Sequence, residues 1–308
     1  MEIISNTLKF QLNTGTAVAI GKFDGVHIGH RVLLEDIVTT ARKRGLASVV
    51  LTFSPSPESL FAGKKLPELT TLNEKREIFS NMGVDFLIEF PMTIESAATE
   101  PEDFVERFLV KQMCAKYIAA GSDLSFGKMG KGNSDLLEDC AKQYGYETHI
   151  IDKIEYKGIE ISSTLIRNTI ESGNMELATE LLGHPYSLIG IVEHGRKLGR
   201  TIGMPTANIY VEPGKIIGPN GVYYSQTIVD GVTYASTSNV GIKPTVVEEG
   251  RLTCETFLYN YDGDLYGKNI EVRLLKFVRP EMKFDSIDAL KNQMERDIEG
   301  GRIYGLQE

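Results

Sequence analysis

The pattern of hydrophobic residues changes near residue 185, and this change constrains the fold more than any other feature of the chain. Before it, apolar runs at Thr16–Ile20, 48–53, 117–120 and 147–151 alternate with amphipathic stretches. The first amphipathic stretch repeats at helical spacing and stops at Gly45; its apolar residues are Leu33, Leu34, Ile37, Val38 and Ala41. This alternation of strands and helices predicts a mostly parallel sheet covered by helices.

After residue 185, strand-like runs are separated by turns of Gly, Pro, Asp or Asn, including DG pairs at residues 230–231 and 262–263. One helical pattern closes the chain, and its apolar residues are Ile287, Leu290, Met294 and Ile298. We therefore predict an α/β domain over residues 1–184 and a small β-barrel with a terminal helix over residues 185–308.

Composition and charge argue against a nucleic-acid-binding or membrane protein. The chain has 308 residues, with 33 Lys or Arg, 42 Asp or Glu and a formal net charge of -9. Such a chain is not expected to bind nucleic acid or anionic membranes over a broad surface. Its three cysteines stand far apart, and no apolar stretch approaches the roughly 18 residues of a membrane span. We expect a cytoplasmic protein with no nucleic-acid, membrane or obligate protein partner.

The segment GKFDGVHIGH at residues 21–30 joins the first strand to the first helix. Glycines at such a junction allow a tight turn and close approach of the backbone to a ligand. Two histidines flank a glycine at the helix N-terminus, where free N–H groups and the helix dipole favour phosphate. The segment predicts a nucleotide-phosphate site formed by Gly21, Phe23, Asp24, Gly25, His27, Gly29 and His30.

A second candidate phosphate segment is ISSTLIR at residues 161–167. Ser162, Ser163 and Thr164 stand where a helix begins, so they can cap it and offer hydroxyl and N–H groups to an anion. Arg167 follows within the same helix, where its guanidinium can pair with the same anion.

The second half contains GRKLGRTIGMPTAN at residues 195–208, a Gly/basic segment suited to folding over a polyphosphate. Thr206 and Asn208 alternate along an extended chain, so their side chains share one face. Their hydroxyl and amide oxygens are suitable ligands for Mg²⁺. The candidate nucleotide-binding residues of the loop are Gly195, Lys197, Gly199 and Gly203.

These segments resemble a known family. HIGH is similar to the HxGH signature of nucleotidyltransferases, and the longer GKFDGVHIGH is similar to bacterial bifunctional riboflavin kinase/FAD synthetases. GRKLGRTIGMPTAN, SNVGIKPT and ETFLYNYDGDLYGK resemble riboflavin kinase segments in order and spacing. The resemblance implies a Rossmann-like nucleotidyltransferase domain followed by a six-stranded β-barrel riboflavin kinase domain with a C-terminal helix. It also implies that ATP phosphorylates riboflavin to FMN and adenylylates FMN to FAD, with Mg²⁺ in both reactions.

The resemblance also implies roles for individual residues. His27 and His30 would stabilise the ATP phosphates, and Glu255 would take the proton from the riboflavin hydroxyl. The segment AGSDLSFG at 120–127 is similar to part of the family's nucleotide pocket and adds Gly121 and Asp123. The region around the flavin adds Asn239 and Arg279.

Two positions depart from the family pattern. Ser56 stands where the family commonly has histidine, and Leu124 replaces a phenylalanine. These departures favour one alternative, a riboflavin kinase with weak or absent adenylyltransferase activity. A non-enzymatic flavin-binding protein is a second alternative, which the metal and base positions oppose. An RNA-linked synthetase relative is a third, which the acidic charge opposes.

Overall fold

The computed structural model describes residues 1–195, 203–243 and 251–305. The chain divides into two compact units, Met1–Ser163 and Thr164–Glu308. The predicted domain boundary between residues 184 and 185 stays a prediction. Every helix in the described ranges is too short or too polar to cross a membrane.

The first unit contains a six-stranded parallel sheet in the order β1-β4-β3-β2-β5-β6, so the predicted parallel sheet is confirmed. Its strands are β1 (Glu2–Ser5), β2 (Thr16–Ile20), β3 (Ala47–Ser54), β4 (Phe86–Pro91), β5 (Ala115–Gly121) and β6 (Glu147–Ile151). A small hairpin follows, formed by β7 (Glu155–Tyr156) and β8 (Ile159–Glu160).

The described helices, in chain order, are α1 (Ile28–Arg44), α2 (Pro57–Ala62), α3 (Leu72–Asn81), α4 (Ile94–Ala97), α5 (Pro101–Phe104), a π-helical segment (Val105–Gln112), a 3-10 turn (Lys128–Gly130), α6 (Ser134–Tyr144), α7 (Ser163–Glu171), α8 (Met175–Leu182) and α9 (Ile287–Gly305). The five apolar residues predicted to repeat along α1 are all buried. Gly45 ends α1 in the left-handed conformation, with φ of 66°, as its position after a basic turn predicts.

Strand β2 separates two hydrophobic cores. Val18 and Ile20 pack into the core that includes the π-helical segment and α6, whereas Ala17 and Ala19 pack into the core under α1 and α3. Successive residues of a strand point to opposite faces, so a continuous apolar run indicates a strand covered on both sides. The strand order reverses between β2 and β5, and ligands of open α/β sheets bind at the carboxyl ends of strands at such a reversal.

The second unit contains a closed antiparallel barrel in the order β10-β13-β12-β11-β14-β9, so the predicted six-stranded barrel is confirmed. Its strands are β9 (Tyr186–Glu193), β10 (Ala207–Tyr210), β11 (Gly221–Val229), β12 (Val232–Lys243), β13 (Arg251–Leu258) and β14 (Asn269–Pro280). The pair Asp230 and Gly231, both with positive φ, connects β11 to β12, as the DG signal predicts.

The predicted terminal helix is confirmed as α9, and an ion pair fastens it to β14. Asp297, buried on α9, accepts hydrogen bonds from Arg279 Nε at 3.1 Å and Nη2 at 2.6 Å. Ile298 and Met294 join a small hydrophobic cluster, whereas Ile287 in the first turn is exposed. Apolar packing therefore covers only part of the helical pattern that the sequence indicates.

Candidate active sites

The segment of residues 21–30, called here the histidine loop, follows the carboxyl end of β2 at the reversal of strand order. Phe23, Gly25 and Val26 have φ angles of 49°, 84° and 41°. Left-handed conformations cost free energy for residues other than glycine, so surrounding contacts must hold them in place. A loop held in this way presents a defined set of backbone groups at the reversal.

Asp24 supplies much of the restraint on the histidine loop. Its Oδ1 accepts hydrogen bonds from the backbone N–H groups of Leu69, at 2.7 Å, and Thr70, at 3.2 Å. In return, Thr70 Oγ1 accepts a hydrogen bond from Gly25 N at 2.8 Å. The carbonyl of Asp24 accepts a 2.9 Å hydrogen bond from Ser163 Oγ, so this predicted phosphate residue also contacts the loop.

The two histidines form a stacked pair at the start of α1. Their ring centroids lie 3.7 Å apart with an interplanar angle of 19°. His27 caps the helix, and its Nδ1 accepts a hydrogen bond from His30 N at 3.4 Å. The accepting nitrogen carries no proton, so Nε2 of His27 carries it and can donate to a ligand. His30 Nδ1 is buried with no hydrogen-bond partner among the described residues.

Burial keeps both imidazoles neutral. It lowers the pKa of His27 to about 4, and Asp123 opposes the change only in part. Burial also lowers the pKa of His30 well below its ordinary value, assisted by His27 when that ring is protonated and by the charge of Lys75. At neutral pH the pair therefore offers N–H donors without net charge.

Close packing explains the phenylalanine and two of the glycines in the loop. Phe23 is fully buried, and its ring meets those of His30 and Phe79 edge to face at 5.3 and 5.7 Å. A Cβ on Gly29 would lie 3.2 Å from the His27 ring, and one on Gly21 would lie 3.1 Å from the Phe23 ring. These residues set the position of the histidine pair.

The predicted pocket segment after β5 lies beside the histidine loop, because β2 and β5 are parallel neighbours. Gly121 ends β5, and the exposed Asp123 has Oδ2 3.7 Å from Lys153 Nζ. Leu124 packs against the hydrophobic core, as an apolar replacement for phenylalanine would. Ser56 caps α2 by accepting a hydrogen bond from Ser59 N, so it has a structural role.

Ser162 precedes α7, and the helix begins at Ser163. Thr164 is exposed, whereas Arg167 is partly buried one turn further along the helix. Thr164 and Arg167 fall in the second unit.

On the barrel, three predicted residues occupy one row across neighbouring strands. Glu255 of β13 pairs with Asn208 of β10 on one side and with Asn239 of β12 on the other. Directly paired residues of antiparallel strands point to the same face. Cys254 and Thr256, on either side of Glu255, are fully buried in the barrel, so the row faces outward.

Of the two predicted metal residues, Thr206 lines a cavity of about 270 Å³ together with Gly203, and Asn208 lies two residues further along the chain, in β10. Asn208 Nδ2 donates a 3.4 Å hydrogen bond to the carbonyl of Thr206. A Cβ on Gly195 would lie 2.6 Å from Asn208 Nδ2 and 2.7 Å from its Oδ1, so a larger residue there would have to displace the Asn208 amide. Lys197 and Gly199 lie outside the described residues.

The predicted flavin residues have protein partners. Asn239 Nδ2 donates to Glu281 Oε1 at 3.3 Å, and Arg279 holds Asp297 of α9 as described above. The two residues lie on either side of Val222 in the barrel: Val222 of β11 pairs with Asn239 of β12 and with Arg279 of β14.

Sequence reasoning did not single out several residues that the structure places near the predicted sites. Tyr266 and Asp264 line the barrel cavity, and Lys75 lies buried on α3 of the first unit. The first two lie within ETFLYNYDGDLYGK, a resemblance that pointed only to the glutamate. Nothing in the sequence indicated that Lys75 is buried, because a lysine in an amphipathic helix is expected to face solvent.

Comparison with known proteins matches each half of the chain to a family of known activity. The FAD synthetase family model matches residues 9–165, and the riboflavin kinase family model matches residues 182–304. The bifunctional riboflavin kinase/FMN adenylyltransferase of Escherichia coli K12 is 38% identical over 95% of this chain and 94% of its own. The protein of the same name from Listeria monocytogenes is 36% identical over 93% of this chain and 91% of its own.

A solved structure from Streptococcus pneumoniae, described as a macrolide-efflux protein, also resembles this chain. It has 31% sequence identity and a TM-score of 0.85, and the match covers 97% of this chain and 98% of that one. The similarity therefore extends over both units of the fold.

A nucleotidyltransferase-like unit joined to a closed kinase-type barrel defines an ATP-dependent transferase with two reactions. The chain belongs to the bifunctional riboflavin kinase/FMN adenylyltransferase family. It phosphorylates riboflavin to FMN and adenylylates FMN to FAD, with ATP as the co-substrate of both reactions.

Proposed function

We propose that adenylyl transfer takes place at the histidine loop, where His27 and His30 donate hydrogen bonds to the ATP phosphates. The buried, neutral, stacked pair with an unpartnered Nδ1 carries this proposal. An FMN phosphate oxygen bonds to the α-phosphorus of ATP as the bond to the β-phosphate breaks, and pyrophosphate leaves. Positioning and charge stabilisation suffice for such a step.

The remaining residues of this site follow from the motifs. Gly21, Gly25 and Gly29 admit the phosphates close to the backbone, while Phe23 and Asp24 hold the loop. Gly121 and Asp123 are proposed for the nucleoside, since a carboxylate can accept hydrogen bonds from ribose hydroxyls. Ser162, Ser163, Thr164 and Arg167 are assigned to the other phosphates by their sequence motif.

The kinase reaction is proposed for the outward row on the barrel. Glu255 accepts the proton of the riboflavin 5′-hydroxyl as that oxygen bonds to the γ-phosphorus and ADP leaves. Its place between Asn208 and Asn239 supports this role. Asn239 and Arg279 border the flavin, and Gly195, Lys197, Gly199 and Gly203 cover the nucleotide.

Thr206 and Asn208 fit Mg²⁺ by the chemistry of their donors, hydroxyl and amide oxygens. The backbone at Gly195 lies against the Asn208 amide, where an added Cβ would collide with it, so a glycine at this position preserves the orientation of the amide. The ion would neutralise charge on the phosphates. Thr206 and Asn208 would hold it at the cavity, and Glu255 would receive the substrate proton.

The test uses two variants and two substrates. Glu255→Gln is expected to stop FMN formation from riboflavin while leaving FAD formation from supplied FMN intact. His30→Ala is expected to do the reverse. Flavins are separated by chromatography after incubation with ATP and Mg²⁺. Loss of both activities in either folded variant would refute the two-site assignment, and FMN as the sole product of the unmodified protein would favour the kinase-only alternative.

We also propose that the domains meet between residues 184 and 185, in the link between α8 and β9, and that the enzyme acts in the cytoplasm. All three cysteines are free, as a reducing compartment favours. The net charge of -9 supports the absence of nucleic-acid and membrane partners. Residues 185–308 expressed alone should convert riboflavin to FMN; an inactive, folded fragment would contradict the boundary.

A further inference from the structure

A buried lysine lies in the core of the first unit. The side chain of Lys75, on α3, is only 5% exposed. Lysine is almost never this buried unless it is paired. Its partner is Glu68, whose Oε2 lies 3.5 Å from Nζ, beyond the 2.7–2.9 Å of a strong charge-assisted hydrogen bond. Such a pair compensates weakly for the cost of burying the ammonium group.

Helix α3 turns Lys75 toward the histidine loop. Lys75 and Phe79 are four residues apart and share one face of the helix. The Phe79 ring contacts Phe23, and the Phe23 ring contacts His30. Just before α3, the backbone N–H groups of Leu69 and Thr70 are held by Asp24 of the same loop. Lys75 therefore lies, along the chain, between two contacts with the histidine loop: the hydrogen bonds of residues 69 and 70 to Asp24, and the ring contact of Phe79 with Phe23.

The positive charge of Lys75 acts electrostatically on His30. After burial and His27, it is the third cause that lowers the pKa of His30. The neutral histidines donate hydrogen bonds but bring no positive charge, whereas ATP and pyrophosphate carry several negative charges. Lys22, the lysine within the histidine loop, is exposed and paired with Glu58.

We infer that Lys75 supplies a fixed positive charge behind the histidine pair of the adenylyl-transfer site, in addition to the one assigned to Arg167, and so stabilises the polyphosphate that the pair holds. Transfer shifts negative charge onto the leaving pyrophosphate, and an ammonium group in surroundings of low dielectric constant stabilises that charge strongly. Lys75 is a positioning residue that acts through the electric field behind His27 and His30. The inference rests on the proposed assignment of adenylyl transfer to the histidine loop.

The test compares Lys75→Met, which removes the charge and keeps an unbranched chain, with Lys142→Met. Lys142 is an exposed lysine on α6, a helix that packs on the other face of the sheet. FAD formation from FMN is measured at varied ATP. We expect kcat/KM to fall about 10- to 100-fold in Lys75→Met, with riboflavin kinase activity unchanged, and the Lys142 variant to match the unmodified protein. Lys75→Arg should recover part of the loss.

A purely structural role makes a different prediction. If Lys75 served only its ion pair, Glu68→Gln would impair FAD formation as much as Lys75→Met; we expect Glu68→Gln to retain it. Lys75→Gln serves as a second neutral variant, and thermal unfolding confirms that each protein is folded. NMR titration should show a higher pKa for His30 in the neutral variants.

The outcomes separate the two proposals. Unchanged kcat/KM in folded Lys75→Met and Lys75→Gln, while His30→Ala remains inactive, would overturn the Lys75 inference alone. Full FAD formation by His30→Ala would refute the assignment of the site itself.

Discussion

Gly29→Ala should separate stability from activity, because the glycine touches the ring of His27. The added Cβ would lie 3.2 Å from that ring, and ordinary carbon contacts are about 3.5–4.0 Å. The ring must therefore move by about 0.3–0.8 Å. A displacement of about 1 Å near reacting groups costs about 100-fold in rate, so we expect kcat/KM for FAD formation to fall about 4- to 40-fold.

The same substitution should change stability little. Gly29 lies in the first turn of α1 with no left-handed φ, and alanine is a better helix former than glycine by up to about 1 kcal/mol. This gain opposes the cost of moving the His27 ring, so the free energy of unfolding, measured by urea titration, should stay within about 1 kcal/mol of the unmodified value. Riboflavin kinase activity of the same protein should be unchanged.

Gly45→Ala at the other end of α1 is the matched control. Its Cβ would meet nothing within 4 Å, but its φ of 66° disfavours alanine. This variant should lose about 1–2 kcal/mol of stability and retain FAD formation. If Gly29→Ala forms FAD at the unmodified rate, or loses activity only in proportion to lost stability, the histidine stack does not set the catalytic geometry.

Three other perturbations have defined outcomes. The folded-state pKa of His27, about 4, lies below its unfolded value of 6.5, so its contribution to stability should be constant above pH 6.5 and fall by up to about 3 kcal/mol as the pH drops to 4. His27→Asn should make the acid-side fall in urea unfolding shallower by that amount, and His30, whose pKa is also lowered by burial, should account for part of what remains. Asp297→Ala leaves the Arg279 guanidinium without its carboxylate and should cost about 3 kcal/mol of unfolding free energy. Gly195→Ala should displace the Asn208 amide and lower riboflavin kinase kcat/KM by about tenfold or more, leaving FAD formation intact.

Controls for these variants are available in the chain. Glu295→Ala breaks an exposed pair with Lys291 on the same helix as Asp297 and should change stability by less than about 0.5 kcal/mol. Gly231→Ala, in a turn with no atom near its Cβ, should spare kinase turnover. An equal effect of the Asp297 and Glu295 variants, a pH profile unchanged by His27→Asn, or full kinase activity in Gly195→Ala would each contradict the corresponding reasoning.

Local pattern was sufficient to predict four of the six strands of the parallel sheet, the first helix, the barrel with its terminal helix and the candidate motifs. A strand buried on both faces is a continuous apolar run, and a helix on a sheet repeats apolar residues every three or four positions, so both are visible in short windows. Thr16–Ile20, the buried face of α1 and its stop at Gly45 are examples. The histidine pair was visible for the same reason, since its members are three residues apart.

Tertiary structure decided what each candidate residue contacts. Asp24 was predicted to bind nucleotide, yet its carboxylate holds the backbone of residues 45 and 46 positions away. Ser163 reaches the same loop across 139 residues, and Arg279 meets Asp297 through the packing of a helix on the barrel. Periodicity reports which face of an element is buried, but not which neighbour covers it. Partners so distant in sequence depend on strand order and loop path, and these are settled only when the whole sheet or barrel assembles.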